Sequence, residues 1–596
     1  MPPYHAPLRD MRFVLHELHD DSELMALPGF EEFTPDLLDE VLEQGAKFCE
    51  DILHPLNHSG DEEGCRFSNG EVRTPDGFPA AYRAFRERGW TALACDAEHG
   101  GTGMPHSLQV LTDEVMCSAN LAFSLYPGLT FGAYQTLAAH GSDSLKSAYL
   151  GHLVDGSWTA SMCLTEPQCG TDLGLIRTRA QPRADGSHAI SGTKMFITGG
   201  EHDLAENIIH LVLARLPDAP SGTQGISLFL VPKFLVGDDG APGRRNSLAC
   251  GSIEHKMGIK ASATCVMNFD DASGWLVGSP HQGLKHMFTM MNSERLSVGM
   301  QGVGIGEAAY QGALAYARDR LQGRATVRLG PSDRPADPLL VHPDVRRMLL
   351  TIRAYTEGCR ALAGWIGREL DMRRRHPDPD RRQIADDFVA LTTPIAKALF
   401  TDLGFESANL AMQIFGGHGY IRENGMEQLV RDARIGQIYE GTNGIQALDL
   451  VKRKIGAQSG RILRTFLDPV AAFIRNREGS TTPPAMIAGL SSSFDTFREA
   501  TDHILTAGQS DPDESAAAAT DYLRMFGLLA LGYLWCRTAR IANAKILTNT
   551  DSGGFYRAKL GTAEFFMARL MPQTKALGAA ILAGGSSITG FDASLF

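Results

Sequence analysis

The residue best suited to chemistry is Glu440. It stands in Ile438-Tyr439-Glu440-Gly441-Thr442, with an aromatic ring before it and a glycine after it. The glycine lets a ligand approach the backbone closely. A carboxylate with apolar neighbours and no adjacent cation can have a raised pKa and act as a general base. Taken alone, a glutamate is more often a solvated side chain. A second segment, Met162-Cys163-Leu164-Thr165-Glu166-Pro167-Gln168-Cys169-Gly170-Thr171-Asp172, combines a proline-to-glycine turn with the hydroxyls of Thr165 and Thr171. Such a turn suits polar ring edges or a pyrophosphate. On its own, a polar connecting loop explains it equally well. A third, Gln413-Ile414-Phe415-Gly416-Gly417-His418-Gly419-Tyr420, opens the backbone at Gly416 and Gly417. Phosphate-loop, zinc-protease and serine-elbow patterns are absent. Gly302-Val303-Gly304-Ile305-Gly306 follows a helical pattern rather than a strand, so it reads as close helix packing.

The elements that must position these residues fall into blocks. From Thr34 to about Leu153 the apolar spacing is mostly helical, with Thr34-Pro35 supplying an N-cap and a proline at the first helical position. Glu98 to Pro105 is a glycine-rich loop. Near Trp158 the texture changes. Ala189 to Thr198, Ile208 to Ala214, Ile226 to Val231 and Thr264 to Phe269 read as strands. Asp218 to Gly222 and Gly237 to Gly243 read as turn-rich connectors. Helix resumes near Gly283, with long periodic segments at Gly302 to Leu321, Pro343 to Met372, Ile384 to Phe415 and Glu427 to Ile455. Gly330 to Pro338 and Arg373 to Arg382 are polar interruptions. Asn476 to Pro484 and Gly508 to Glu514 read as linkers or exposed loops, with helices at Ala516 to Leu547 and Gly561 to Leu582. The fold class is α+β, without alternating βαβ units. The expected divisions are an N-terminal arm 1–34, a helical domain 35–157, a β-domain 158–282, a helical bundle 283–457 and a C-terminal helical extension 458–596.

Composition narrows the class. The chain has 596 residues, enough for about four domains at roughly 150 residues each. A net charge of −13 argues against a general nucleic-acid binder. The ten cysteines are scattered without C-x-x-C pairs and are expected to be reduced thiols in the cytoplasm, with no metal site. The N-terminus has neither a signal nor a transit pattern. The purely apolar stretches, such as Phe526 to Cys536, are short for a bilayer span. Phe526 to Trp535 is apolar almost all round, which predicts burial against the core rather than an interfacial helix.

Together the segments resemble the acyl-CoA dehydrogenase family. Thr165-Glu166-Pro167 through Thr171-Asp172, Lys194-Met195-Phe196-Ile197-Thr198-Gly199, Arg295-Leu296-Ser297-Val298-Gly299, Gln413 to Tyr420 and Ile438 to Thr442 follow the family's order and approximate spacing. Gly89-Trp90-Thr91-Ala92-Leu93 matches its N-terminal domain. The resemblance implies a helical domain, a β-domain and a four-helix bundle. It also implies a flavoenzyme that forms a trans-2,3 double bond in an acyl-CoA. Glu440 matches the base that removes the α-proton while the β-hydride passes to flavin N5. Developing charge on the thioester oxygen must be stabilised. In the family, the flavin ribityl 2′-hydroxyl and the glutamate's backbone N–H do this.

By the same resemblance Met162, Leu164 and Thr165 lie along the pyrimidine edge of FAD. Thr171, normally serine, meets the pyrophosphate and borders the substrate. Phe196, where many members have tryptophan, and Thr198 flank the ring. Arg320, Gln413, Gly416 and Gly417 match contacts made across a dimer, and Thr442 a contact after the base. Asn292, Arg295, Tyr439 and Gly441 match substrate contacts. Glu294 falls where isovaleryl and long-chain relatives carry the base instead, so it is a second candidate carboxylate.

Tyr4 to Phe13 and the tail beyond Ile455 resemble a large bacterial subfamily that includes fatty acyl-CoA and 3-methylmercaptopropionyl-CoA dehydrogenases. A fatty acyl-CoA in β-oxidation is the expected substrate, with 3-methylmercaptopropionyl-CoA as the alternative. Electron-transfer flavoprotein is the expected acceptor, against oxygen for an oxidase, and a homodimer the expected assembly. A DNA-repair-associated flavoprotein of the same superfamily is disfavoured by the charge, and no membrane or nucleic-acid partner is expected.

Overall fold

The computed structural model describes residues 2–237, 239–326, 335–476 and 480–596. Gly330 to Pro338, Asn476 to Pro484 and Gly237 to Gly243 each lie partly outside them. The chain clusters into two compact units: Phe48–Met104 with Ala119–Ser297, and Met1–Lys47 with Pro105–Ser118 and Val298–Phe596.

The first unit holds a seven-stranded sheet. Its order is Leu248–Ile253, Thr264–Leu276, His188–Thr198, Arg179–Pro182, Asn207–Arg215, Trp158–Cys163. Ile226–Pro232 pairs with both Thr264–Leu276 and Asn207–Arg215. Trp158–Cys163 runs parallel to Asn207–Arg215, and the other long pairings are antiparallel. The apolar runs at 208–214 and 226–231 do not alternate because both faces of those strands are covered. Ile209, Leu211 and Leu213 pack with Tyr149, Leu153 and Trp158. Val212 and Ala214 pack oppositely with Ile190, Phe229 and Cys265. The helices Leu121–His140 and Asp143–Val154 cover the first face, capped by Asn120 and Ser142.

The second unit is helical. Thr34 Oγ1 accepts from the Leu37 N–H at the head of Pro35–Phe48, as the N-cap pattern predicts. Its long helices are the Val298-onward part of Gly283–Asp319, Pro343–Arg375 and Pro379–Phe415. Gly302, Gly304 and Gly306 act as packing residues. A Cβ at Gly302 would lie 2.2 Å from the Phe400 carbonyl oxygen, and one at Gly304 2.7 Å from Cys117 Cβ. The tail folds as Arg461–Arg475, Pro484–Ser510, Pro512–Leu547, Phe555–Phe565 and Gln573–Leu582. Phe526, Leu528, Leu529, Leu531 and Leu534 are buried, and Trp535 Nε1 donates to the Ala354 carbonyl at 3.1 Å. The helix Pro379–Tyr420 holds an 18-residue window whose mean hydropathy of 1.2 would pass for a membrane span by composition, but 83% of that window is buried inside the protein.

Two readings are corrected. Gly508 to Glu514 is not an extended linker: helix runs to Ser510 and resumes at Pro512, capped by Asp511. Glu427 to Ile455 is not one helix. Met426–Arg434 ends in a short 3-10 turn, and helix restarts at Asn443–Asp449. The break falls at Glu440 and Gly441, whose φ values of +56° and +80° no right-handed helix accommodates. Thr442 then caps the new helix by accepting from the Ile445 N–H.

Candidate active site

In the sheet unit, Met162 is the last residue but one of the buried strand Trp158–Cys163, and Leu164 and Thr165 leave it. The Met195 N–H donates to the Thr165 carbonyl at 3.0 Å, which sets this segment beside Phe196. Lys194 and Glu166 fix it from below. Lys194 Nζ donates to the Leu164 carbonyl at 3.0 Å and to Glu166 Oε1 at 2.8 Å, with both side chains buried. Glu166 also accepts from the Thr178 hydroxyl and the N–H groups of Arg177 and Thr178. Burial opposes ionisation of Glu166, but the Lys194 ammonium and these donors outweigh it and push the carboxyl down to about 2. Burial likewise lowers Lys194 from 10.5, against the pull of Glu166.

A carboxyl depressed in the fold stabilises it above its ordinary pKa of 4.5, and that contribution is lost as pH falls from there through 2. Lys194→Met leaves Glu166 buried without its cation and is expected to cost about 3 kcal/mol at pH 7. The gap from the native protein should narrow on acidification. Urea-unfolding midpoints at pH 7 and pH 3.5 check both statements.

Phe196 is 56% exposed and has φ +59°, an unusual backbone for an aromatic residue. Thr198 is two residues on, paired with Thr264. Thr171 is exposed two residues beyond the Glu166–Cys169 bridge. The hydroxyls of Thr165, Thr171 and Thr198 bond to no other described residue. On Gly283–Asp319, Arg295 Nη1 donates to Asn292 Oδ1 at 3.4 Å, and its guanidinium lies 5.7 Å from the Phe288 ring centre. Glu294 is buried against Leu121–His140, where glycines make room for it. A Cβ at Gly132 would stand 2.8 Å from Glu294 Oε1, and one at Gly128 4.0 Å from Oε2.

The helical unit gathers the remaining candidates in two places. Arg320, exposed after the helix end, joins its N–H to the Tyr316 carbonyl. Tyr316 stacks on Phe415 with ring centres 4.1 Å apart and hydrogen-bonds His418 Nδ1 at 2.7 Å. Arg320 thus follows by one turn the tyrosine that packs on Phe415; Arg320, Gln413, Gly416 and Gly417 are all exposed, and a Cβ at either glycine would meet nothing within 4 Å. Elsewhere in the unit, half-buried Glu440 sits between Tyr439 and Gly441. The Tyr439 hydroxyl donates to the buried Gln301. Lys397 Nζ donates to the Gly441 carbonyl and to Asn443 Oδ1, both at 2.8 Å. The Asn443 amide donates to Asp402 Oδ1 at 2.7 Å.

The sequence motifs gave no role to Lys194, Tyr316, Lys397 or Gln446. The available signal was polarity out of place. Lys194 interrupts a strand, and Lys397 stands alone in Thr393-Pro394-Ile395-Ala396-Lys397-Ala398-Leu399-Phe400. Among the described residues, no group of three His, Cys, Asp or Glu side chains is placed to hold a metal ion.

Comparison with known proteins covers nearly the whole chain. Residues 37–157, 161–272 and 281–456 match the N-terminal, middle and C-terminal domains of acyl-CoA dehydrogenase, and 466–592 match the "Acetyl-CoA dehydrogenase C-terminal like" domain. The sequence is 43% identical to 3-methylmercaptopropionyl-CoA dehydrogenase of Ruegeria pomeroyi, over 98% of this chain and 99% of that one. It is 34% identical to a butyryl-CoA dehydrogenase of Syntrophomonas wolfei, over 95% and 94%. In fold it resembles an acyl-CoA dehydrogenase complexed with FAD from Bacillus anthracis, with TM-score 0.73, 19% identity and coverage of 94% and 90%.

Proposed function

Because the chain belongs to the acyl-CoA dehydrogenase family, an oxidoreductase family that uses FAD, we propose that it dehydrogenates a short acyl-CoA, 3-methylmercaptopropionyl-CoA foremost, with Glu440 as base. The observation that carries the substrate is the 43% identity over 98% of the chain to the Ruegeria pomeroyi enzyme, extension included. It shifts preference from the fatty acyl-CoA expected from sequence. Linear fatty acyl-CoAs stay as a second reading, favoured by the 34% identity to a butyryl-CoA enzyme.

The residues present fit FAD. Thr165, Thr171 and Thr198 supply hydroxyls that no other described residue uses. Phe196 offers an exposed ring beside them. Gly416 and Gly417 leave bare backbone, and Arg320 supplies an exposed cation in the same unit. Met162, Leu164, Thr165, Phe196 and Thr198 would hold the ring system, and Thr171 the pyrophosphate. Arg320, Gln413, Gly416, Gly417 and Thr442 would hold the remainder. When bound, FAD supplies the acceptor for the β-hydride.

The protein's own work is proton transfer and polarisation. The Glu440 carboxylate takes the α-proton. Its backbone N–H donates to the thioester oxygen as charge develops there. Of the substrate contacts that the resemblance implies, Tyr439 and Gly441 flank Glu440 in the chain. Electrons leave to electron-transfer flavoprotein, and the assembly is a homodimer. The dimer reading draws support from Tyr420, Ile421 and Ile438, apolar residues exposed at 79%, 48% and 47%.

The test is anaerobic bleaching of the flavin by a panel of acyl-CoAs. The expected order is methylthiopropionyl and butyryl ahead of octanoyl, palmitoyl and branched chains. Bleaching by none of them would overturn the reading, and a preference for palmitoyl would overturn the substrate.

A further inference from the structure

Glu440 keeps a backbone conformation that L-residues rarely adopt, and two buried side chains grip the carbonyls around it. Gln446 Nε2 donates to the Glu440 carbonyl at 3.0 Å and to the Gly441 carbonyl at 3.3 Å. Lys397 donates to the Gly441 carbonyl from the other helix. Both side chains are fully buried. Two facing carbonyl oxygens require the amide nitrogen of Gln446 at this position, which fixes its orientation.

That orientation leaves Gln446 Oε1 buried without a hydrogen-bond partner among the described residues. An unmet buried acceptor destabilises, and a leucine of similar volume would avoid it. The glutamine therefore makes sense for what its amide nitrogen holds. Gly441 fits the same device. It has φ +80°, and a Cβ there would come within 2.9 Å of Gln446 Nε2.

We propose that Gln446 and Lys397 are positioning residues of the proton-transfer step. They clamp the carbonyls of Glu440 and Gly441, keep Glu440 in its left-handed backbone, and so aim its carboxylate at the substrate α-carbon. Neither touches the substrate. The proposal rests on Glu440 being the base.

The experiment uses the full-length, FAD-loaded protein and the variants Gln446→Leu and Lys397→Met. The probe is α-deuterated 3,3-dimethylbutyryl-CoA, whose quaternary β-carbon has no hydride to give. Loss of its deuterium to water reports the base alone. Steady-state kcat and KM with a dehydrogenated substrate accompany it. Gln446→Leu is expected to melt close to the native protein and keep KM within about twofold, with exchange and kcat falling together 10- to 100-fold, within the range of a misaligned general base. Lys397→Met is expected to lose at least as much exchange. Exchange within twofold of native in folded variants overturns the proposal. So does activity lost only in proportion to folded protein, which would assign both residues to folding. A Glu440→Gln protein that still exchanges the probe's deuterium at the native rate removes Glu440 as base, a failure of the earlier reading that is visible without either clamp variant.

Discussion

Glu440→Gln lowers dehydrogenation by about 10³-fold or more, the span of a lost general base, with FAD retained. Gln keeps the shape of the side chain and every backbone contact. The Tyr439 hydroxyl still reaches Gln301, and the carbonyls of residues 440 and 441 still meet Gln446 and Lys397. What disappears is the group that takes the proton. Glu294→Gln is the control. Its carboxylate lies in the space left by Gly128 and Gly132, which an amide of equal size also fits. Its rate is expected to stay within about tenfold of native. Single-turnover bleaching of the flavin under argon measures both. If Glu294→Gln is the dead variant and Glu440→Gln the active one, the base has been assigned to the wrong carboxylate.

Why Glu440 was easier to find than its supports is a matter of range. Ile438 to Thr442 is a local signature, and Gly441 announces a turn by its residue type. Glu440 carries no such mark. Its φ of +56° is imposed by side chains 6 residues ahead in Gln446 and 43 behind in Lys397. For the same reason 427 to 455 reads as one helix. Leu429, Ile438, Ile445 and Leu448 keep supplying apolar residues through a segment where the backbone turns over. The strands were legible by composition because Ile, Val and Leu dominate them. Their partners were not, since pairing such as Thr198 with Thr264 joins residues far apart in sequence. The C-terminal extension shows the opposite limit. A helix apolar all round at 526–535 says that it is buried, and says nothing of which helices bury it.

That extension is tied to the rest of its unit by charge, and Arg360 is the centre of the tie. Its guanidinium is fully buried and donates to both Glu114 oxygens from Nε, at 3.0 and 2.9 Å, to Glu307 at 2.6 Å, and to Asp10. Asp10 also pairs with Lys559, which reaches Glu357 at 2.8 Å and lies against the Phe13, Trp535 and Phe555 rings. The N-terminal arm, the bundle and the extension thus share one buried network. Burial pushes the Glu114 carboxyl up to about 7 in spite of the Arg360 charge. Arg360→Met leaves Glu114, Glu307 and Asp10 buried after removing a cation common to all three. The expected loss is about 5 kcal/mol at pH 7, the upper end for breaking a buried pair. Its pH dependence has a definite sign. An acid whose pKa is raised on folding from 4.5 binds protons more tightly in the fold, so stability is regained as pH falls through that window. Without Arg360 the rise is larger, so the variant's deficit should be greater at pH 8 than at pH 5. Adding Glu114→Gln to Arg360→Met should recover part of the loss at pH 8, because one buried charge is gone. Urea midpoints of the native protein and both variants, with trypsin cleavage at Arg9 and Arg12 as a reporter of arm release, decide it. An Arg360→Met protein as stable as native at pH 8, with its arm protected, would mean that packing around Phe13 and Trp535 holds the arm without the charges.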